Sequence, residues 1–336
     1  MKHTTQLIIG NQYNPHLNLA VESSLLNDGD NDTVTMFLWK NQQTVVYGYN
    51  QNPFTECNVE LLLSEGGYAA RRRTGGGAVY HDLGNLNYSF ITDAGDKASL
   101  SIEQFSRPVC RALETLGLEA TVGGRNDITV GGKKVSGVAQ RIYKNRILHH
   151  GTLLFRSDAD MIAGALNVDP SKFESKSSKS VRSRVGNISE FLPEDMSFED
   201  FRTEIKHQLS LDGATVQTLS ADELKIIEEN AEKKYRSWEW TYGRSPRYTF
   251  RNKVRFPGGS IEVRLFVEGG IIKEASFSGD YMAVTDGSEA AKALTGVRFA
   301  KDELMSALEG VDIEAAFGGI TAENIAEVMF PHADLH

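Results

Sequence analysis

Residues Arg71–Phe90 read RRRTGGGAVYHDLGNLNYSF, and this stretch decides how the rest of the chain is interpreted. Gly75, Gly76 and Gly77 have no Cβ atom, so a ligand can approach the backbone amides there closely. Successive amides of this kind form concave anion-binding sites. The arginines before them can bind a carboxylate or a phosphate through two parallel hydrogen bonds. The stretch predicts an anion-binding loop set between strands, although a glycine-rich hairpin beside a solvated basic segment has the same pattern.

Common phosphate-binding and nucleophile motifs are absent from the chain. The Walker spacing G-x-x-x-x-G-K-S/T does not occur, and neither does the nucleophile elbow G-x-S-x-G. A dinucleotide fingerprint needs a helix directly after its glycines. Here the glycines precede a strand pattern at Ala78–His81, so this loop is not of the dinucleotide-binding type.

The composition is that of an ordinary globular protein. A chain of 336 residues suggests two domains, and its net charge of −9 argues against nucleic acid as a partner of the whole chain. The two cysteines, Cys57 and Cys110, are far apart, which indicates a reduced compartment without a disulfide framework. The N-terminus lacks the apolar core of a signal peptide, and no apolar run reaches the ~18 residues of a membrane helix. We expect a cytoplasmic protein with no membrane partner.

Apolar periodicity predicts a mixed α/β chain with a domain at residues 1–245 and a second at residues 246–336. The junction is placed at Tyr235–Pro246, which contains the sequence WEWTY. Strands are predicted at Gln6–Ile9, Val34–Trp39, Thr44–Tyr47, Ala78–His81, Leu86–Ile91, Asp127–Val130, Lys134–Arg141, Ile147–Phe155, Tyr248–Arg255, Ser260–Val267 and Ile271–Ser278. Helices are predicted at Pro15–Asn27, Asn58–Ser64, Ser101–Gly117, Asp158–Leu166, Ser197–Leu211, Ala221–Tyr235, Ala283–Leu294, Lys301–Leu308 and Ala322–Phe330.

A second group of candidate residues follows in GRND, Gly124–Asp127, and KVSG, Lys134–Gly137. Asp127 begins one predicted strand and Lys134 begins the next, so a hairpin can bring the two side chains together. A lysine suits an acyl carboxylate or an α-phosphate, and a carboxylate suits Mg²⁺ with phosphate oxygens. The alternative is a surface lysine in a hairpin, since Lys133 and Lys134 point to opposite sides of a strand.

Two further segments have both a functional and a structural interpretation. His149 and His150 suggest a metal, but neighbouring strand residues face opposite sides and zinc needs three or four ligands. A substrate-lining or buried histidine is favoured over a structural metal. The basic, serine-rich segment Lys172–Arg184 is either a solvated linker or a lid that closes over an anionic intermediate.

Taken together, these segments resemble the two-domain bacterial lipoate–protein ligase A family. The order and spacing of the motifs match that family over nearly the whole chain. The motifs are RRRTGGGAVYHDLGN (Arg71–Asn85), GRNDI (Gly124–Ile128), KVSG (Lys134–Gly137), HHGTLL (His149–Leu154), SVRSRVGNI (Ser180–Ile188) and SWEW (Ser237–Trp240).

The resemblance implies a biotin/lipoate ligase-like α/β catalytic domain, related to class II aminoacyl-tRNA synthetases, with a small C-terminal α/β accessory domain. It implies ATP and Mg²⁺ as cofactors and lipoate or octanoate as the acyl substrate. Lipoate would be activated to lipoyl-AMP and transferred to a lysine of lipoyl-acceptor domains, namely E2 subunits and the glycine cleavage H protein. A monomer is expected.

The family's functional residues carry over by position. Lys134 corresponds to the catalytic lysine that contacts the acyl carbonyl and the phosphate, and Asp127 is a candidate Mg²⁺ contact. The implied ATP and lipoyl-AMP contacts are Arg72, Gly75, Gly76, Gly77, Ala78, Val79, Tyr80, Asn85, Asn126, Asp127, Lys134, Ser136, Arg182 and Arg184. The implied lipoate contacts are Arg72, Gly77, His81, Lys134 and His150.

Two alternatives remain open. An octanoyl or lipoyl transferase on the same fold would use a cysteine thioester, but neither Cys57 nor Cys110 lies beside KVSG or HHGT. The acidic C-terminal domain also points to the ligase, because the transferases typically lack it. A non-catalytic lipoate-binding or regulatory protein is disfavoured because Arg72, the three glycines and Lys134 are all present.

Overall fold

The structure is a computed structural model that describes residues 4–30, 32–51, 53, 57, 62, 64–95, 101–123, 126–166, 184–242, 250–268 and 270–330. The chain divides into two compact units. The first comprises Met1–Val46, Pro53–Arg71 and Val79–Thr241, and the second comprises Tyr47–Asn52, Arg72–Ala78 and Tyr242–His336. The loop that contains Gly75, Gly76 and Gly77, called the glycine loop below, spans Arg72–Ala78 and therefore groups with the C-terminal part of the chain.

The strands of the described residues fall in three sheets. They are β1 (Thr4–Ile9), β2 (Thr33–Trp39), β3 (Thr44–Tyr47), β4 (Tyr68–Arg71), β5 (Val79–His81), β6 (Asn85–Asp93), β7 (Ala120–Gly123), β8 (Asp127–Val130), β9 (Lys133–Tyr143), β10 (Arg146–Leu154), β11 (Thr215–Gln217), β12 (Phe250–Phe256), β13 (Gly259–Glu268) and β14 (Ile271–Gly279).

The helices are mostly short. They are α1 (Pro15–Asp28), α2 (Ile102–Glu114), α3 (Ala159–Ala165), α4 (Phe198–Ser210), α5 (Ala221–Asn230), α6 (Trp238–Thr241), α7 (Ser288–Leu294), α8 (Lys301–Leu308), α9 (Ile313–Phe317) and α10 (Ala322–Met329). A π-helix covers Ala231–Tyr235, and a 3₁₀ helix covers Ile188–Glu190.

An eight-stranded sheet forms the centre of the first unit, in the order β11-β1-β2-β6-β10-β9-β8-β7. The pairs β11–β1 and β1–β2 are parallel, and from β2 to β7 every neighbouring pair is antiparallel. A smaller sheet, β4-β3-β5, carries the residues that follow the glycine loop. In β6 and β10 alternate side chains project to opposite faces, which separates an apolar core face from a polar face.

The apolar face of the large sheet packs against α2 and α4. Leu86, Tyr88 and Phe90 from β6 join Leu113 of α2 and Phe201 of α4 in one buried cluster. Ser101 caps α2 by accepting a hydrogen bond from the Gln104 amide, as the capping-box spacing predicts. Burial of this continuous apolar surface is the main stabilising contribution to the unit.

Helix α1 packs against the other, polar face and begins at a well-formed cap. The Asn14 side chain accepts from the amides of His16 and Leu17, and Pro15 occupies the first turn. Asn18 and Glu22 are buried on this helix as well as the apolar positions. The helix therefore brings polar groups into the interior, which its apolar stripe alone does not predict.

The second unit has its own core. Strands β12, β13 and β14 form an antiparallel sheet, and Ile261, Val263 and Leu265 of β13 pack against helices α7 to α10. The Gly76 amide donates to the Tyr281 carbonyl oxygen at 3.0 Å, and Gly279 N donates to Asn50 O at 2.9 Å. These backbone bonds join the glycine loop and residues 47–52 to the end of β14.

Most predicted elements are present, and the differences concern short ones. Strands β4, β7 and β11, of three or four residues each, are not among the predicted strands. Helix α7 begins at Ser288 rather than at Ala283. The helix predicted over Ala221–Tyr235 is α-helical only to Asn230.

Several predictions fall on residues outside those described. They concern most of the helix predicted at Asn58–Ser64, most of Lys172–Arg184, and Pro246 at the boundary between residues 245 and 246. The mixed α/β fold class itself is confirmed. Within the part of the chain that the structure describes, no helix combines the length and the apolar character needed to cross a bilayer.

Candidate active site

Lys134 and Asp127 meet on adjacent strands, as the hairpin prediction requires. Lys134 Nζ lies 2.7 Å from Asp127 Oδ1, and both side chains are 32% exposed. A register shift between Ile128 and Thr129 places Thr129 opposite Lys134 and Gly137 opposite Asp127. The ammonium is thus held by a carboxylate while a third of its side chain remains accessible to a ligand.

The Lys134 amine lies close to Gly137, which has no side chain. A Cβ atom added to Gly137 would be 3.1 Å from Lys134 Nζ and 3.9 Å from Val79 Cγ1. The Gly137 amide donates to Thr152 Oγ1 at 3.0 Å. Gly137 therefore leaves room for the amine to lie against the polar face of the sheet, close to the first residue of β5.

Two buried asparagines on this face have unused hydrogen-bonding capacity. Asn85 Nδ2 donates to Asn87 Oδ1 at 2.9 Å. Asn85 Oδ1 and Asn87 Nδ2 have no partner among the described residues, although both side chains are buried. Asn87 pairs with Thr152 across β6 and β10, so it lies in the same row as Gly137. Buried polar atoms normally have a partner, so a polar ligand atom is a reasonable one here.

Two other predicted contacts, Asn126 and Ser136, lie in the β8–β9 hairpin. Asn126 Nδ2 donates to Val138 O at 3.2 Å, and the Val138 amide donates to Asn126 O, which closes the start of β8 onto β9. Ser136 is fully buried and pairs with Ile128, which belongs to the core cluster. Its side chain therefore lies on the core face, opposite the face that carries the Lys134 amine.

His149 and His150 face opposite sides of β10, as predicted. The His149 ring stacks on Phe105 at 5.3 Å and is wholly buried in the core. His150 Nδ1 lies 2.7 Å from Glu22 Oε1 on the polar face. The predicted lipoate contact His81 is also buried, and the Asn41 side-chain amide donates to its Nδ1 at 3.0 Å.

A buried polar network around Glu22 was not predicted from the sequence. The Glu22 carboxylate accepts from Ser89 Oγ at 2.6 Å and contacts His150 Nδ1, and Trp39 Nε1 donates to Ser89 Oγ at 3.0 Å. Because Glu22 can only accept when ionised, it fixes the His150 tautomer with a proton on Nδ1. The available signal was an acidic residue four positions after Asn18, on the same face of helix α1.

Burial of His149 predicts an acid-sensitive contribution to stability. Burial lowers the pKa of His149 from 6.5 to about 3. Below pH 6.5 the unfolded chain gains a proton that the folded chain does not accept, so stability falls as the pH falls toward 3. When the pH is lowered from 7 to 4.5, the wild-type chain should lose more unfolding free energy than the His149→Leu variant. The expected difference is about 2 to 3 kcal/mol. Urea unfolding of both proteins at the two pH values measures this, and an unchanged difference would contradict it.

The Arg72 side chain forms hydrogen bonds within the glycine loop and orders its backbone. Its NH2 nitrogen donates to the carbonyl oxygens of Gly75 and Gly77 at 2.6 and 2.7 Å, and its Nε donates to Thr74 Oγ1 at 2.9 Å. Gly76 has a φ of 83°, a conformation that favours glycine. The described contacts of Arg72 therefore shape the loop backbone, and its predicted contact with a nucleotide remains a prediction.

Arg71 has a different, structural role in the first unit. Its Nε donates to Trp240 O at 2.8 Å, and Trp240 Nε1 donates back to Arg71 O at 2.9 Å. The SWEW motif thus fastens α6 to strand β4. Of the remaining predicted contacts, Val79 and Tyr80 lie on β5 and Ala78 is half-buried. Arg184 is exposed, and Arg182 lies outside the described residues.

A cavity of about 630 Å³ lies on the core side of the large sheet, away from these residues. Met36, Phe90, Phe105 and Leu209 line it, and Arg111 and Asp212 are among its polar residues. None of the predicted site residues lines it. The site prediction therefore concerns the polar face, where Lys134 and the unsatisfied asparagines lie.

The donor groups near Lys134 do not form a metal centre on their own. No three His, Cys, Asp or Glu side chains come together in the described ranges as they would around a metal ion. Asp127 Oδ1 is already within ion-pair distance of the Lys134 ammonium. In this arrangement Asp127 fits the role of an ammonium partner better than that of a Mg²⁺ ligand.

Comparison with known proteins identifies the family. The family described as "Lipoyl protein ligase A/B catalytic domain" matches residues 14–210, and "Bacterial lipoate protein ligase C-terminus" matches residues 245–329. The chain belongs to the lipoate–protein ligase family. Lipoate-protein ligase LplJ of Bacillus subtilis is 39% identical, over 96% of this chain and 100% of that relative. Lipoate--protein ligase 1 of Staphylococcus aureus is 37% identical, over 94% and 96% respectively.

Solved structures of lipoate ligases have the same fold. The crystal structure of P. falciparum LipL1 in complex with lipoate has a TM-score of 0.77 and 25% identity, and covers 92% of this chain and 95% of that one. A lipoate-protein ligase A bound with ATP has a TM-score of 0.59 and 28% identity, covering 72% and 98%. The ligase fold predicted from the motifs is therefore confirmed.

Proposed function

We propose that the chain activates lipoate with ATP and ligates it to a lysine of an acceptor protein. A carboxylate oxygen of lipoate attacks the α-phosphorus of Mg·ATP, the bond to the β-phosphate breaks, and pyrophosphate leaves. The product is lipoyl-AMP, a mixed anhydride. The deprotonated ε-amine of the acceptor lysine then attacks the acyl carbon, which forms the amide and releases AMP.

The exposed third of the Lys134 side chain is the observation that carries this proposal. A carboxylate and an α-phosphate are both negatively charged, and their approach concentrates charge in the transition state. An ammonium already held by Asp127 and lying over Gly137 needs little reorganisation to offset that charge. Lys134 is accordingly the catalytic residue of the proposed adenylation step.

The other predicted contacts keep the roles that the family implies. Asn85 Oδ1 and Asn87 Nδ2 are available for polar atoms of the ligand, because they lack partners among the described residues. The glycine loop, ordered by Arg72, binds phosphate through its backbone.

Substrates and partners follow from the same family. Lipoate and octanoate are the acyl substrates, and Mg²⁺ accompanies ATP as part of the substrate. The family resemblance assigns Asp127 as the Mg²⁺ contact. The acceptors are lipoyl domains of E2 subunits and the glycine cleavage H protein. One solved relative, with a TM-score of 0.63, is described as "a bi-partite lipoate protein ligase and its E2 lipoyl domain". We further propose a cytoplasmic monomer whose catalytic domain ends near residue 245.

Pyrophosphate release tests the proposed chemistry. The purified chain, ATP and Mg²⁺ are incubated with lipoate, octanoate or biotin, with and without a lipoyl domain. Release that depends on lipoate is expected, and biotin should not support it. With ¹⁸O-labelled lipoate carboxylate, one ¹⁸O should appear in AMP after transfer, because the bridging oxygen leaves with the phosphate. Absence of lipoate-dependent pyrophosphate would refute the proposal and favour a non-catalytic binding protein.

The transferase alternative requires a reactive cysteine, and both cysteines are buried. Burial raises the pKa of the Cys110 thiol to about 11, which keeps it protonated at neutral pH. We expect Cys57→Ser/Cys110→Ser to retain lipoyl transfer within about threefold, since no thioester is needed. Mass spectrometry of the acceptor domain measures transfer. A folded double variant without transfer would instead support a thioester mechanism.

A further inference from the structure

Strand β9, which carries Lys134, is hydrogen-bonded through its backbone to a short segment that begins at Val185. Lys134 and Val185 form a parallel β-bridge, and the Gly186 amide donates to the Lys134 carbonyl oxygen at 3.0 Å. The main chain of the catalytic lysine is thus bonded to a segment about fifty residues further along the sequence. Nothing in the hairpin itself requires this contact.

The fit at Gly186 is tight. A Cβ atom there would be 2.9 Å from Lys133 Cδ and 3.0 Å from Lys133 Cβ and from Phe191 Cε2. Lys133 Nζ in turn lies 3.4 Å from a Glu190 carboxylate oxygen. Residues 186–191 therefore pack closely against Lys133, the neighbour of Lys134.

Asn187 anchors this segment to the end of the neighbouring strand. Its Oδ1 accepts from the Ser157 amide at 2.8 Å, and its Nδ2 donates to the Ser157 carbonyl oxygen at 3.0 Å. Ile188 is wholly buried, and the Ser189 amide donates to Phe155 O at 3.0 Å. One asparagine side chain thus links the residues after β10 to the segment bonded to Lys134.

The position of the Lys134 main chain matters because its side chain is long and flexible. Four rotatable bonds separate Cα from the ammonium, which must reach both Asp127 and the space over Gly137. Functional groups need placement within about 0.5 Å, and that depends on supporting contacts around them. The contacts of Asn187 provide such support, because they fix the segment that is bonded to the Lys134 main chain.

We propose that Asn187 is a positioning residue for adenylation, acting on Lys134 through the bridge formed by Val185 and Gly186. This inference rests on the proposed function, because it assigns Lys134 to lipoyl-AMP formation. Asn187 itself does not need to contact the ligand. Its substitution should therefore affect the rate of adenylation and leave the binding of substrates largely unchanged.

The test is a double-mutant cycle on lipoate-dependent pyrophosphate release. Asn187→Ala is expected to lower kcat about tenfold or more, with the KM values for ATP and lipoate within about threefold. In the Lys134→Ala background, measured with enzyme in excess, the same change should cause no further loss. Asn187→Asp keeps the acceptor for the Ser157 amide and should recover part of the rate.

Controls separate the outcomes. Asn324→Ala removes the hydrogen bond that the Asn324 side chain accepts from the Thr321 amide in the second unit, and it should leave the rate unchanged. If Asn187→Ala does not fold, Asn187→Asp replaces it in the cycle, with an expected loss of at least about threefold that disappears without Lys134. An unchanged rate, or equal losses in both backgrounds, would overturn the positioning role. A wild-type chain that releases no pyrophosphate would instead refute the proposed function.

Discussion

Replacing Lys134 with alanine is expected to lower the rate of lipoyl-AMP formation by about 10³-fold, because a preorganised charge aimed at the reacting groups is lost. The fold should be retained, since the side chain is 32% exposed and its ion pair with Asp127 is partly solvated. Single-turnover pyrophosphate release with ATP and lipoate measures the rate. Circular dichroism and thermal unfolding verify the fold.

Lys144, directly after the other end of strand β9, provides a matched control for this variant. Lys144 is exposed in the turn between β9 and β10, where its amine lies over the Tyr143 ring. Lys144→Ala should keep the wild-type rate within about twofold, as surface substitutions usually have small effects. If Lys134→Ala retains more than about a third of the wild-type rate, a catalytic role for Lys134 is wrong.

Substitution of Gly48 is expected to have the second largest effect. A Cβ atom at this position would be 2.3 Å from the Gly76 carbonyl oxygen and 3.1 Å from the Gly75 carbonyl group. Both neighbours are backbone and cannot rotate away, so Gly48→Ala must displace the glycine loop. We expect adenylation to fall about 10²-fold, the scale of a misplacement of about 1 Å. Calorimetric titration should show weaker ATP binding.

The second unit also provides a control for Gly48. Gly310 has no heavy atom within 4 Å of an added Cβ. Gly310→Ala should therefore keep both ATP affinity and rate. A folded Gly48→Ala protein that binds ATP and forms lipoyl-AMP like the wild type would show that the conformation of the glycine loop is not required.

Local patterns in the sequence were sufficient for the parts of the structure that depend on neighbouring residues. Turn residues and apolar periods of two and 3.6 predict the strand after the glycines and the capped helix α2. They also predict that the side chains of Asp127 and Lys134 lie close together on neighbouring strands. The opposite orientation of His149 and His150 follows from the same strand alternation. Family motifs then added the reaction, which no spacing alone implies.

Contacts between distant residues could not be predicted in this way. Glu22 and His150 are separated by 128 positions, and Asn187 and Ser157 by 30, so no local pattern connects them. The family resemblance implies a nucleotide contact for Arg72. The structure adds hydrogen bonds from Arg72 to the carbonyl oxygens of its own loop, which no motif predicts, and the nucleotide contact remains a prediction.

The structure of the chain bound to a non-hydrolysable lipoyl-adenylate analogue tests the central claim most directly. We predict Lys134 Nζ within hydrogen-bonding distance, about 2.7 to 3.2 Å, of the atoms that replace the acyl carbonyl and the α-phosphate. An analogue found in the cavity lined by Phe90 and Phe105, or bound without any contact to Lys134, would contradict the account.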